Sequence, residues 1–207
     1  MKDGQTHGRE NFSKAMSKIR ILIIGLGRIG KIHLGNLQAM DEVEIIGICD
    51  PTDEAKAFSN KAGLTFYQKD FTDVASEVQT DAIVICSPTD THANYVSLAA
   101  KKGIDVFCEK PLDLSLKKVK EVLKTVSESK IKLMLGFNRR FDSEFQSVKE
   151  KIVKGEIGDI HMIKITSRDP SPPPINYIKS SGGMFLDMTI HDFDMIRYLT
   201  NKEIVEV

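Results

Sequence analysis

Between Ile19 and Leu135, short apolar runs of strand length alternate with stretches whose apolar residues recur at i, i+3 and i+4. The runs lie at 19–24, 43–49, 82–86, 105–108 and 131–135, with a further short one at 64–67. Helical patterns at 28–40, 51–62, 91–102 and 115–129 separate them, and in the last of these Val119, Val122, Leu123 and Val126 form one stripe. A chain that repeats strand and helix in this way has few means of burying both. The solution is a parallel sheet with helices on both faces, since strands covered on both sides read as continuous apolar runs.

Gly25-Leu26-Gly27-Arg28-Ile29-Gly30 closes the first run and opens the first helix. In that setting the glycines have separate tasks. Gly25 permits a tight turn, Gly27 lets the backbone approach a pyrophosphate, and Gly30 allows close packing of helix on strand. The unpaired N–H groups and positive dipole end of a helix N-terminus then favour an anion. Asp50 ends the second run, about 20 residues beyond Gly30, where a carboxylate accepts hydrogen bonds from the adenosine ribose hydroxyls. It would also repel a 2'-phosphate, and Pro51 and Thr52 follow it rather than an arginine. The bare glycine string reads equally as a turn, and an Asp before a proline as a helix N-cap. Strand, loop, helix and acid in register favour an α/β, Rossmann doubly wound sheet over 19–136 that binds NAD in preference to NADP. Gly25, Gly27, Arg28, Ile29, Gly30 and Asp50 are its expected contacts.

Beyond Leu135 the pattern changes: a polar-faced helix is expected at 138–154, an alternating strand at 160–169, a proline-rich segment at 169–174, a helix at 185–198 and a last strand at 204–207. The domain boundary falls near Phe137. The opening 1–18 is polar and reads as a disordered tail without the apolar core of a secretory signal, and Met16 offers an alternative start. Lys plus Arg equals Asp plus Glu at 29 each in 207 residues, so there is no basic field for nucleic acid. No apolar run approaches the roughly 20 residues that span a bilayer. Cys49, Cys86 and Cys108 lack metal-ligand spacing and fit reduced thiols in a cytoplasmic protein. His191 with Asp192 and Asp194 has no HxxxH or Cys partner, so no metal is expected.

Cys108-Glu109-Lys110-Pro111, at the end of the fifth expected strand, resembles the glucose-fructose oxidoreductase, inositol dehydrogenase and rhizopine catabolism (Gfo/Idh/MocA) oxidoreductases. Ser87-Pro88-Thr89 with His92 is similar to that family's nicotinamide-side loop, and Gly136-Phe137-Asn138-Arg139-Arg140-Phe141 to its crossing into the second domain. Gly182-Gly183, Asp187, His191-Asp192 and Asp194 match its active-site helix, and the stretches 167–170 and 183–188 look most like the inositol 2-dehydrogenase branch. The resemblance runs from about Ser17 to the last residue. It implies hydride transfer from a secondary alcohol of a cyclic polyol or sugar to NAD, with Lys110, Asp187 and His191 as the catalytic set and His191 as the base. It also implies cofactor contacts from Ser87, Pro88, Thr89, His92, Glu109, Lys110 and Asn138, and a homo-oligomer. The residues themselves are compatible with this chemistry. Asp187 and His191 are four apart, so on an α-helix they share a face, where a carboxylate fixes an imidazole's tautomer. On residue type and spacing alone they equally suit a solvent-facing pair, and Lys110 an exposed strand end.

Members of that family carry a large open sheet in the second domain, whereas only one long strand, one helix and the start of another strand are expected after Phe137. An incomplete α+β second domain is therefore anticipated over 137–207, with a one-sided pocket and turnover of myo-inositol weak or absent while NAD binding persists. The second reading is a catalytically silent NAD-binding module that pairs with another chain.

Overall fold

The computed structural model describes residues 17–169, 171–173, 175, 178 and 181–206. Most of the anticipated tail, 1–16, lies outside the described residues, as do Pro170 and Pro174 of the proline-rich segment and Val207 of the last expected strand. The remaining runs become β1 (Ile19–Ile24), β2 (Val43–Cys49), β3 (Phe66–Tyr67), β4 (Ala82–Ile85), β5 (Asp105–Cys108) and β6 (Leu133–Leu135). They pair in parallel in the order β3-β2-β1-β4-β5-β6. Helices α1 (Arg28–Gln38), α2 (Asp53–Lys61), α3 (Phe71–Val74), α4 (Thr89–Lys101) and α5 (Leu116–Ser129) form the crossovers.

Side-chain alternation along β1 divides the core in two. Leu22 and Ile24 face α3, α4 and α5 with Phe71, Val96 and Val122, whereas Ile21 and Ile23 face α1 and α2 with Leu34 and Ala55. Leu22, Ile23, Ile48, Ile83 and Ile85 are fully buried, and each such side chain contributes about 1.5–3 kcal/mol. Strand order reverses between β1 and β4, so the loops after these two strands part around a crevice at the carboxyl edge of the sheet, where ligands of such folds bind.

Three expectations for the C-terminal region are corrected. The helix expected at 138–154 is broken: Asn138–Phe141 is a 3₁₀ turn, and α6 (Ser143–Val153) starts anew because Asp142, in extended conformation, caps it by accepting from Glu144 N and Phe145 N. The strand expected at 160–169 does not form, although its alternation survives as half-buried Ile163, Ile165 and Ser167 between exposed Met162, Lys164 and Thr166. Among the described residues no neighbouring strand is available to complete a ladder, and a period-two pattern without a partner leaves its backbone groups unpaired. The same holds for 204–206, also without strand. The last helix begins as a π turn, Phe185–Thr189, and continues as α7 (Ile190–Thr200). α7 buries Met195 and Leu199, with Asp194 beside them.

Candidate active site

The glycine loop is shaped by two close approaches. Gly25 has φ +87°, and a Cβ there would lie 2.6 Å from Ser87 N; a Cβ on Gly30 would lie 2.1 Å from the Gly25 carbonyl oxygen. Neither position accepts a side chain. Gly27 differs: its φ is −67°, and a Cβ would meet nothing within 4 Å. The open space therefore lies over Gly27 at the N-terminus of α1, where Arg28 is exposed and Ile29 half-buried. The N-cap of α1 has no side-chain hydrogen bond, so its first N–H groups have no side-chain acceptor there.

Asp50 is buried beneath this loop. Oδ2 accepts from Leu26 N at 2.8 Å, and Oδ1 from Thr52 N at 2.8 Å and Thr52 Oγ1 at 2.5 Å. Thr52, rather than Asp50, caps α2.

Across the crevice, Ser87 Oγ and Thr91 Oγ1 share a hydrogen bond of 2.6 Å, exposed Pro88 occupies the N-cap position of α4, and half-buried Thr89 opens the helix. His92 is among the expected cofactor contacts. Its ring is buried, with Nδ1 2.8 Å from the Pro111 carbonyl oxygen and Nε2 2.9 Å from that of Ser87. His92 thus ties the loop after β4 to the loop after β5. Asn138 is exposed at the start of the 3₁₀ turn.

Lys110 and Asp187, distant in sequence, meet at the carboxyl end of β5. Lys110 Nζ donates to Asp187 Oδ1 at 2.9 Å and to the Asp187 carbonyl oxygen at 2.8 Å, with both side chains largely covered. Asp187 lies within the π turn Phe185–Thr189. His191 follows on α7, half-buried, its ring edge-on to Phe137 with centroids 6.2 Å apart. Burial, then the positive charges of Lys110 and Arg139, hold its pKa below the usual 6.5, against smaller opposing effects of Glu109 and Asp192. Among the described residues, Nδ1 of His191 is buried without a hydrogen-bond partner.

Residue patterns alone had not pointed to several neighbours. Arg139 donates to Asp192, whose Oδ1 also accepts from Ser167 Oγ at 2.7 Å. Arg140 grips Asp194 in a two-point pair, with Nε to Oδ2 at 2.7 Å. His33 of α1 lies 2.8 Å from Glu109 Oε1. Paired charges on a turn and a helix were the available signal for the arginines. His33, one turn past Gly30, carried none.

A family profile described as "Oxidoreductase family, NAD-binding Rossmann fold" (Gfo/Idh/MocA) matches residues 19–137, and one for the "GFO/IDH/MocA C-terminal domain" matches 145–207. The chain is 46% identical over 190 residues to an inositol 2-dehydrogenase of Rhizobium meliloti, and 45% identical over 190 residues to a myo-inositol 2-dehydrogenase of Thermotoga maritima. Each alignment covers 91% of this chain and 57% of the relative. The chain thus spans little more than half the length of these relatives. Among solved structures, scyllo-inositol dehydrogenase from Lactobacillus casei with bound NAD(H) and scyllo-inositol superposes with a TM-score of 0.78 at 31% identity, covering 90% of this chain and 57% of that one.

Proposed function

The chain belongs to the Gfo/Idh/MocA oxidoreductase family, and on that premise we propose that it takes part in NAD-dependent oxidation of a secondary alcohol of a cyclic polyol, of the inositol class. The observation that carries this is the meeting of Lys110 with Asp187, in the π turn that leads into α7, at the same sheet edge as the glycine loop. The site fits a dinucleotide: the space over Gly27 is open at a helix N-terminus, and the Asp50 carboxylate lies beneath the same loop. NAD, when bound, supplies the hydride acceptor. Gly25, Gly27, Arg28, Ile29, Gly30 and Asp50 would hold its adenosine half. Ser87, Pro88, Thr89, Glu109, Lys110 and Asn138 would lie toward the nicotinamide, with His92 bracing their loops.

His191, neutral because its surroundings disfavour the imidazolium, accepts the hydroxyl proton. Lys110 holds the substrate oxygen, and Asp187 holds Lys110 in place through two contacts. A positioned base of this kind contributes about 10²–10⁴ in rate. We place residues 19–136 as the NAD-binding unit and 137–207 as part of the substrate-side domain. The three cysteines are unpaired, and burial raises all three thiols, Cys49 and Cys86 to about 12. That accords with a cytoplasmic setting. No helix among the described residues is long and apolar enough to cross a membrane. Large apolar side chains left exposed beyond Phe137, such as Met162, Met184 and Phe185, favour a homo-oligomer, which light scattering would test.

The test of function is NADH formation by the purified chain across a panel of inositols and sugars, with NAD and NADP in parallel. The expected result is NADH from myo- or scyllo-inositol, abolished by Lys110→Met and by His191→Ala. Binding of NAD without NADH from any polyol would refute the proposed oxidation.

A further inference from the structure

His33 stands outside the machinery just described. It lies on α1, the helix whose N-terminus faces the open space over Gly27, and its ring reaches across the face of the sheet to the end of β5. There it packs edge-on against Phe107, with centroids 4.9 Å apart, and Nε2 lies 2.8 Å from Glu109 Oε1. A carboxylate oxygen only accepts, so Nε2 carries the proton and donates. Glu109 Oε2 accepts from Lys110 N at 3.3 Å. The same carboxylate lies against Gly136 at the end of β6, where a Cβ would come within 3.0 Å of its Cδ and both oxygens. One side chain therefore joins three elements: α1 through His33, β5 through Lys110, and β6 through Gly136. Both partners are largely covered, at 25% and 21% side-chain exposure. A charge-assisted hydrogen bond so placed is stronger than one open to solvent.

We propose that His33 is a positioning residue: by donating to Glu109 it fixes the carboxylate and keeps the dinucleotide helix in register with the Lys110 end of the site. The inference rests on the reading that NAD lies along this edge. It adds that the two halves of the cofactor site are mechanically joined through one hydrogen bond. Glu109 keeps acceptor capacity beyond its two protein donors, so it is suited to receive a hydroxyl from the distal half of a dinucleotide while His33 holds it still. Ring packing on Phe107 is the competing reason for a histidine here, and it makes a different demand: an aromatic ring of similar size, without the donor, would serve.

Calorimetric titration of the full chain with NAD and with ADP separates these. ADP offers only the groups that meet the glycine loop and Asp50, whereas NAD also engages the Lys110 end. His33→Phe should weaken NAD roughly tenfold to thirtyfold and change ADP by less than about twofold. His33→Gln, whose amide nitrogen sits where Nε2 does, should restore NAD to within about threefold of the parent. Gly136→Ala, which displaces the carboxylate from the other side, should reproduce the NAD-selective loss with His33 intact. Unchanged NAD affinity in His33→Phe, equal losses of NAD and ADP, or no rescue by His33→Gln would each overturn the proposal while leaving the cofactor reading in place. Failure of the parent chain to bind either ligand would overturn both.

Discussion

Asp50 accepts from Leu26 N, Thr52 N and Thr52 Oγ1, which fills three of about four acceptor positions on its carboxylate. The remaining position is on Oδ2, the oxygen that also anchors the glycine loop, so the ribose contact proposed for Asp50 would share one atom with loop shape. Asp50→Asn should weaken NAD by roughly tenfold and leave NADP unchanged or improved, because the substitution removes both a charged acceptor and the repulsion of a 2'-phosphate. Calorimetry with both dinucleotides checks this, and parallel losses would contradict it. His191 makes a pH prediction. Its pKa in the fold is held below 6.5 by burial first, then by Lys110 and Arg139. The unfolded chain therefore binds the proton more readily, and the residue contributes stability that is present above pH 6.5 and lost as pH falls through the lower folded value. The proposed base stays neutral down to that same lower pH. Lys110→Met removes the second of these causes, so the His191 titration, followed by NMR, should move up; an unchanged or lowered midpoint would show that Lys110 does not act on it.

The glycines of the β1–α1 loop separate at the scale of the element. A methyl on Gly30 would meet the Gly25 carbonyl, so Gly30→Ala should lower stability by about 1–3 kcal/mol through overpacking. A methyl on Gly27 meets nothing. Gly27→Ala should leave the thermal midpoint near that of the parent and weaken NAD at least tenfold, since the added carbon fills the space proposed for the pyrophosphate. Loss of stability in Gly27→Ala with unchanged NAD affinity would contradict the assignment. Much of this was legible in the sequence, because each strand of the first domain is a contiguous run with its own helix, and β1, β2 and β5 fall at the expected bounds. The short α3 escaped notice because four residues carry no period. What failed lay where local pattern needs a distant partner. The alternation at 160–169 marks a face without guaranteeing a neighbouring strand, and Asp142 reads as a helix interior until its backbone is seen to be extended. The π turn at Phe185–Thr189 is likewise announced by no residue pattern.

Over the whole molecule, α7 is tied back to the 3₁₀ turn by two arginines. Arg139 meets Asp192 with Ser167, and Arg140 meets buried Asp194. Arg140→Ala would strand the Asp194 charge. Its cost should fall between that of an exposed pair and that of a fully buried one, about 2 kcal/mol, because the Arg140 side chain is 39% exposed. Thermal unfolding measures this, and no shift would mean that the pair does not anchor α7. Since α7 carries His191 and follows the π turn that holds Asp187, the same anchor holds the element on which the proposed base lies. The most direct test of the central claim, that this edge of the sheet is an oxidising site for a polyol alcohol, is mass spectrometry of the dinucleotide after incubating the chain with NAD and myo-inositol deuterated at C2. The account predicts NADH carrying one deuterium, detectable even at slow turnover and absent in His191→Ala. NAD bound but recovered without deuterium, from myo-inositol and from deuterated scyllo-inositol alike, would contradict it.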